Sequence, residues 1–134
     1  MADQLSLFGL AQRAMSAQLV RMNAASSNLA NAGAVAGSEA GAYRPIRPVF
    51  EEIRDQASGL STVGVKGVVR SNAAAIRQHD PNHPLADANG DIWTAPVDEN
   101  AEMVEMLDAS RQYQNLVEAL STAKQLMLDT MRMK

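Results

Sequence analysis

The sequence predicts an α+β fold in which two long N- and C-terminal helices form a coiled-coil-like pair around a small β-rich middle insert. Three observations carry this. Apolar residues recur in steps of three and four near both ends of the chain, the spacing of one helix face. All five prolines of the 134 residues fall between Gly33 and Pro96. The same middle stretch mixes β-branched residues with tight-turn signals. The expected division is therefore a helical inner domain from residues 1–32 and 97–134, and a β-rich outer domain with loops from residues 33–96.

The first helix is expected from Leu5 to about Asn31. Phe8, Met15, Met22 and Leu29 stand at heptad spacing, with Ala11, Ala14, Leu19 and Ala25 on nearly the same face. Gln12, Arg13, Gln18 and Arg21 make the opposite, polar face. At ~1.5 Å per residue such a helix is ~40 Å long. Gly33 and Gly37 end it.

In the middle, Tyr43 to Ile53 (YRPIRPVFEEI) reads as an extended or edge strand, because Pro45 and Pro48 cannot donate to a ladder on both sides. Ala57 to Thr62 reads as a flexible loop. Val63 to Val69 (VGVKGVV) is a strand, and Ile76 to Gln78 a short one. Asn89-Gly90 signals a tight turn before Ile92-Trp93. So few strands, with so few large apolar residues, are marginal alone.

The last helix runs from Asp98 towards Lys134. Pro96 blocks an earlier start and Asp98 is a good N-cap. Glu99, Glu102 and Glu105 suit the positive end of the helix dipole, and Lys124, Arg132 and Lys134 the negative end. One apolar row holds Met103, Met106, Tyr113, Val117, Leu120, Met127 and Met131; a second holds Leu107, Ala109, Leu116, Ala119, Ala123 and Leu126. The first row is expected to meet the chain's own N-terminal helix, the second a neighbouring molecule. A helix of this kind, ~50 Å long and apolar along one side, needs a partner helix.

Composition narrows the function. A net charge of −3 argues against general nucleic-acid binding. Aromatic residues make up only 4%, and eight methionines with many alanines replace them. Ala and Met suit adaptable helix–helix contact better than a rigid catalytic pocket. Without cysteine there is no disulfide, thiolate chemistry or Cys-based zinc site. No apolar run is long enough to span a membrane, and the N-terminus lacks the pattern of a cleaved secretory signal.

The one stretch that suggests a metal is His79-Asp80-Pro81-Asn82-His83-Pro84, followed by Asp87, Asn89 and Asp91. A turn rich in Pro, Asn and Asp explains it as well, since Asp and Asn bond to nearby backbone. The prolines also prevent the regular spacing that would aim both imidazoles at one ion. Asp87 to Asp91 echoes a calcium loop without its bidentate Glu. No nucleophile elbow or phosphate-cradling glycine loop occurs. No catalytic, cofactor-binding or metal-ligating residue is therefore expected. A small metal protein centred on His79 and His83, and a soluble helical adaptor, remain the rival readings.

Several motifs resemble one family, the flagellar rod and hook axial proteins. Ser27-Asn28-Leu29-Ala30-Asn31-Ala32 is similar to its N-terminal signature, and Tyr43-Arg44-Pro45 with Pro48-Val49-Phe50 to its continuation. His79 to Gly90 resembles the D-P-x-H-P-x-A-D-x-x-G stretch of the proximal rod branch. Glu102 to Met106, Ala109 to Gln114, Val117-Glu118 and Thr122 to Lys124 resemble the same branch. The resemblance implies a structural subunit of the basal-body proximal rod, with no enzyme activity. It implies export from the cytoplasm by the flagellar type III apparatus, without a cleaved signal, to a periplasmic shaft. It also implies contact with itself, with other proximal and distal rod proteins and with the adaptor joining rod to membrane ring. Another axial protein of the family is the nearest alternative. The expected assembly face on the inner helices comprises Phe8, Met15, Met22, Asn28, Leu29, Asn31, Met103, Met106, Tyr113, Leu116, Val117, Leu120 and Met127.

Overall fold

The computed structural model describes residues 2–133, with side chains from residue 7 onward. The chain runs α1 (Ala2–Ala30), β1 (Val35–Ala36), β2 (Ile46–Arg54), β3 (Ser61–Arg70), β4 (Ile76–His79), β5 (Asp91–Thr94) and α2 (Glu99–Arg132). Two long helices thus flank a middle made of short strands. The Lys134 expected at the dipole end of α2 lies outside the described residues.

Helix α2 begins just after Asp98, whose own backbone is still extended. Its carboxylate accepts hydrogen bonds from the Asn100 and Ala101 amides at 3.0 and 3.3 Å, which satisfies donors that the first turn leaves free. Helix α1 ends in a turn where the Asn31 side chain donates to the Ser27 carbonyl at 2.8 Å.

The strands form two separate sheets. β2 and β3 make an antiparallel ribbon from Ile46 opposite Arg70 to Arg54 opposite Ser61. The register shifts between Val49 and Phe50, leaving Lys66 as the extra residue of a bulge. A two-stranded ribbon has a free edge on each strand, so Pro48 is accommodated in β2. The expected flexible loop after Ala57 is instead a compact turn, and β3 already begins at Ser61. Asp55 organises that turn: its carboxylate accepts from the Ala57 amide and the Ser58 hydroxyl at 3.1 and 2.7 Å, and Gly59 takes φ 71°.

The second sheet has the order β1-β5-β4, antiparallel throughout. β1 was not expected from the sequence. It is two residues long, too short to carry a period, and exists because Val35 and Ala36 pair with Thr94 and Trp93 of β5. This pairing ties the exit of α1 to the entrance of α2. The Ala95 amide donates to the Ala34 carbonyl at 3.2 Å in the same place.

Helix α1 is the middle layer. It packs against α2 on one side and against the ribbon on another, and Thr62 Oγ1 of β3 reaches the Leu10 carbonyl at 3.4 Å. The buried apolar residues are few and, apart from Ile92, small: Ala17, Ala24, Ala25, Ala42, Ile92, Ala95 and Ala109. The largest fully buried side chains are polar, Glu102 and Asn28. Among the described residues no helix is long and apolar enough to cross a membrane.

Candidate assembly face and its junction

The helices are held in register by charge. Arg21 of α1 points its guanidinium at α2, where Nε donates to Glu105 at 2.8 Å and Nη2 to Asp108 at 2.9 Å, while Nη1 bonds Gln18 at 2.8 Å. Its side chain is only 17% exposed. The sequence pattern put Arg21 and Gln18 on a solvent face; the structure turns Arg21 inward because α2 brings two carboxylates to meet it. The hydrogen bond that Arg21 donates to Glu105, opposed by burial and reinforced by the one to Asp108, raises the pKa of Arg21.

The ribbon is fastened to both helices at one point. Asn28 is fully buried, and both ends of its amide serve the Ile46 backbone. Oδ1 accepts from the Ile46 amide at 2.8 Å, and Nδ2 donates to the Ile46 carbonyl at 2.9 Å. The side chain thus pairs with β2 as a neighbouring strand would. Tyr43 Oη also donates to Asn28 Oδ1 at 2.8 Å and lies 3.2 Å from Ser27 Oγ. The next residue, Arg47, spans to α2: Nη1 meets Glu102 Oε2 at 2.9 Å, and Nη2 bonds Oε1. Going back along α1 from Asn28 to Arg21 corresponds to going forward along α2 from Glu102 to Asp108. The helices are therefore antiparallel.

The expected face residues fall into three groups. Phe8, Met15, Met22 and Leu29 are all partly buried, as are Met106, Tyr113, Leu116, Leu120 and Met127. With buried Ala109 and partly buried Ala123, the α2 members form one line at heptad-like spacing along α1. This line is drawn from both sequence rows. Leu116, expected to face a neighbouring molecule, lies on it, whereas Met103, Val117 and Met131, expected against α1, are exposed. The ion pairs at Glu102, Glu105 and Asp108 fix the rotation of α2 and so select the line. Asn28 and Asn31, expected on the assembly face, spend their side chains inside the chain.

What remains open is an apolar strip that winds along α2. Met103, Val104, Leu107, Val117, Leu126, Leu128 and Met131 are all exposed. Met103, Val104 and Leu107 line a shallow hollow with Asp108 and Arg111.

The His and Asp stretch is a locked turn. Asp91 is buried; its two oxygens meet His79 Nδ1 at 2.9 Å and Arg77 Nη2 at 2.7 Å. Asp87 accepts from the Asn89 and Asp91 amides at 2.9 and 2.8 Å, and His83 Nδ1 accepts from the Leu85 amide at 3.1 Å. Gly90 has φ 78° and packs close to His79 and Pro81. The hydrogen bond from His79 and the nearby Arg77 charge, against the opposing effect of burial, hold the Asp91 carboxyl below its ordinary pKa. Among the described residues no group of three or more His, Asp or Glu side chains converges on a point that would hold a metal ion.

An extended helical pair, an alanine-lined interior and an uncovered apolar strip define a structural subunit completed by neighbours. The family described as "Flagellar basal body rod FlgEFG protein C-terminal" matches residues 89–133. The flagellar basal-body rod protein FlgC of Salmonella typhimurium is 43% identical over 129 residues, covering 95% of each chain. That of Escherichia coli O6:H1 has the same identity and coverage, and that of Yersinia enterocolitica is 39% identical over 127 residues, again 95% of each. The chain belongs to the FlgC family of flagellar basal-body rod proteins, a structural family rather than an enzymatic one.

Proposed function

We propose that this chain is a subunit of the proximal rod, joining its neighbours through heterologous contacts that repeat along a helical path instead of closing into a dimer. Residues 1–32 and 97–134 make a coiled-coil-like inner domain around the export channel, and residues 33–96 an outer domain. Its partners are further copies, the other proximal and distal rod proteins, and the adaptor between rod and membrane ring. It reaches the periplasm through the flagellar type III export apparatus.

The observation that carries this reading is the exposed strip of α2, from Met103 at 55% to Met131 at 69% exposure, beside an interior whose apolar residues are almost all alanine. Its residues extend from the first turns of α2 to the last, an extent of uncovered apolar surface suited to neighbouring helices.

The test separates export from assembly. Val117→Asp, expressed in cells lacking the native protein, places a charge on the open strip without touching the α1-facing line. The variant chain is expected to be exported at the normal level while the cells fail to swim. Normal swimming would overturn the assignment of this strip as the assembly face.

A further inference from the structure

We propose that the dipeptide Ile46-Arg47 is a coupling hub, through which the last turn of α1, the start of the β2–β3 ribbon and the first turn of α2 order as one cooperative unit. The inference concerns the isolated chain and stands apart from the rod assignment.

The argument begins with the two largest fully buried side chains, Asn28 and Glu102. They sit on different helices. Both of Glu102's side-chain hydrogen bonds run to Arg47. The Asn28 side chain bonds both backbone groups of Ile46 and, among the described residues, otherwise only Tyr43. Two adjacent residues of β2 thus satisfy polar groups from both helices, one through its backbone and the other through its side chain. A buried polar group left without its partner is strongly unfavourable, so a half-made hub is worse than either the complete or the fully open one. That asymmetry makes the junction all-or-none.

The arrangement also fixes how a disturbance travels. No hydrogen bond joins Glu102 to α1 among the described residues. A change at Glu102 reaches Asn28 through the peptide unit between Ile46 and Arg47. The Arg21 pairs with Glu105 and Asp108 form a separate link between the helices, and breaking that link leaves the Ile46 hydrogen bonds in place.

The test is amide hydrogen exchange on the full chain, read at the Ile46 amide, which donates to Asn28, and at the Asn31 amide, which donates to the Ser27 and Asn28 carbonyls. Glu102→Gln keeps the shape and removes the charge. It is expected to accelerate exchange at both amides by about tenfold, the size of coupling between residues that share a partner. Arg47→Lys keeps the charge but loses the two-pronged geometry, and is expected to act in the same direction; should Glu102→Gln unfold the chain, this milder variant decides the matter. Glu105→Gln should leave the Ile46 amide unchanged. The double variant Asn28→Ala/Glu102→Gln should exchange much less rapidly than the product of the single effects. The proposal is overturned by acceleration confined to α2, by multiplicative single effects, or by an Ile46 amide already unprotected in the native chain.

Discussion

Asn28 is the residue on which the middle of the molecule hangs. Replacing it with Ala removes the partners of the Ile46 amide and carbonyl and one partner of the Tyr43 hydroxyl, at a point closed to water. Each buried polar group so orphaned costs roughly 1–3 kcal/mol. Asn28→Ala is expected to lower stability by about 3 kcal/mol, measured as a shift in the urea midpoint at unchanged slope. A change under 0.5 kcal/mol would mean that water replaces the amide there. Asp91 makes a different prediction. Its folded pKa lies below the unfolded one, so in the interval between them the unfolded chain holds more protons. The stability that Asp91 contributes is fully present above the ordinary carboxylate pKa of about 4. It is lost as pH falls through the lower folded value. The chain should therefore lose stability on acidification below pH about 4, and Asp91→Asn should flatten that slope in thermal melts taken across the interval.

Between elements, close approach depends on alanine. Ala17, Ala24 and Ala25 on α1 and Ala109 on α2 are buried, and Ala25 and Ala109 have no exposed surface at all. A larger side chain at such a contact forces the helices apart, at a cost of typically 1–3 kcal/mol. Ala109→Leu is expected to lower the melting temperature despite adding apolar surface; an unchanged or higher value would show that the contact has room to spare. This scale also shows what was legible in the sequence. Both helices, the edge-strand character of β2, and strands β3, β4 and β5 follow from period, proline position and turn chemistry, which are local. The side of α2 that meets α1 does not follow. Two apolar rows lie next to each other, and the 3.6-residue period serves both equally well. The choice is made by Arg21 on Glu105 and Asp108 and by Arg47 on Glu102, long-range pairs that leave no periodic trace. The same holds for Asn28 and Ile46: the motif around Asn28 is visible, its partner is not. β1 owes its existence to β5 and carries no signal of its own.

At the scale of the whole molecule, α2 is longer than its support. With Arg21 opposite Glu105 and Asp108, and both helices rising equally, Ala2 stands opposite about residue 125. Leu126, Leu128 and Met131 project beyond that point and are exposed. Few helices are held by propensity alone, so the projecting end is the least supported part of α2. This separates two adjacent positions sharply. Leu116 is partly buried against α1 in the single chain, and Val117 faces outward. The chain has no cysteine, so one introduced thiol reports on one site. Leu116→Cys is expected to react slowly with a thiol reagent both in the dilute subunit and in isolated basal bodies. Val117→Cys is expected to react freely in the dilute subunit and to become shielded in basal bodies. A Val117→Cys thiol that stays as reactive in the basal body as in the free chain would mean that the strip faces water in the finished rod. The contacts between subunits would then lie on α1 or on the ribbon.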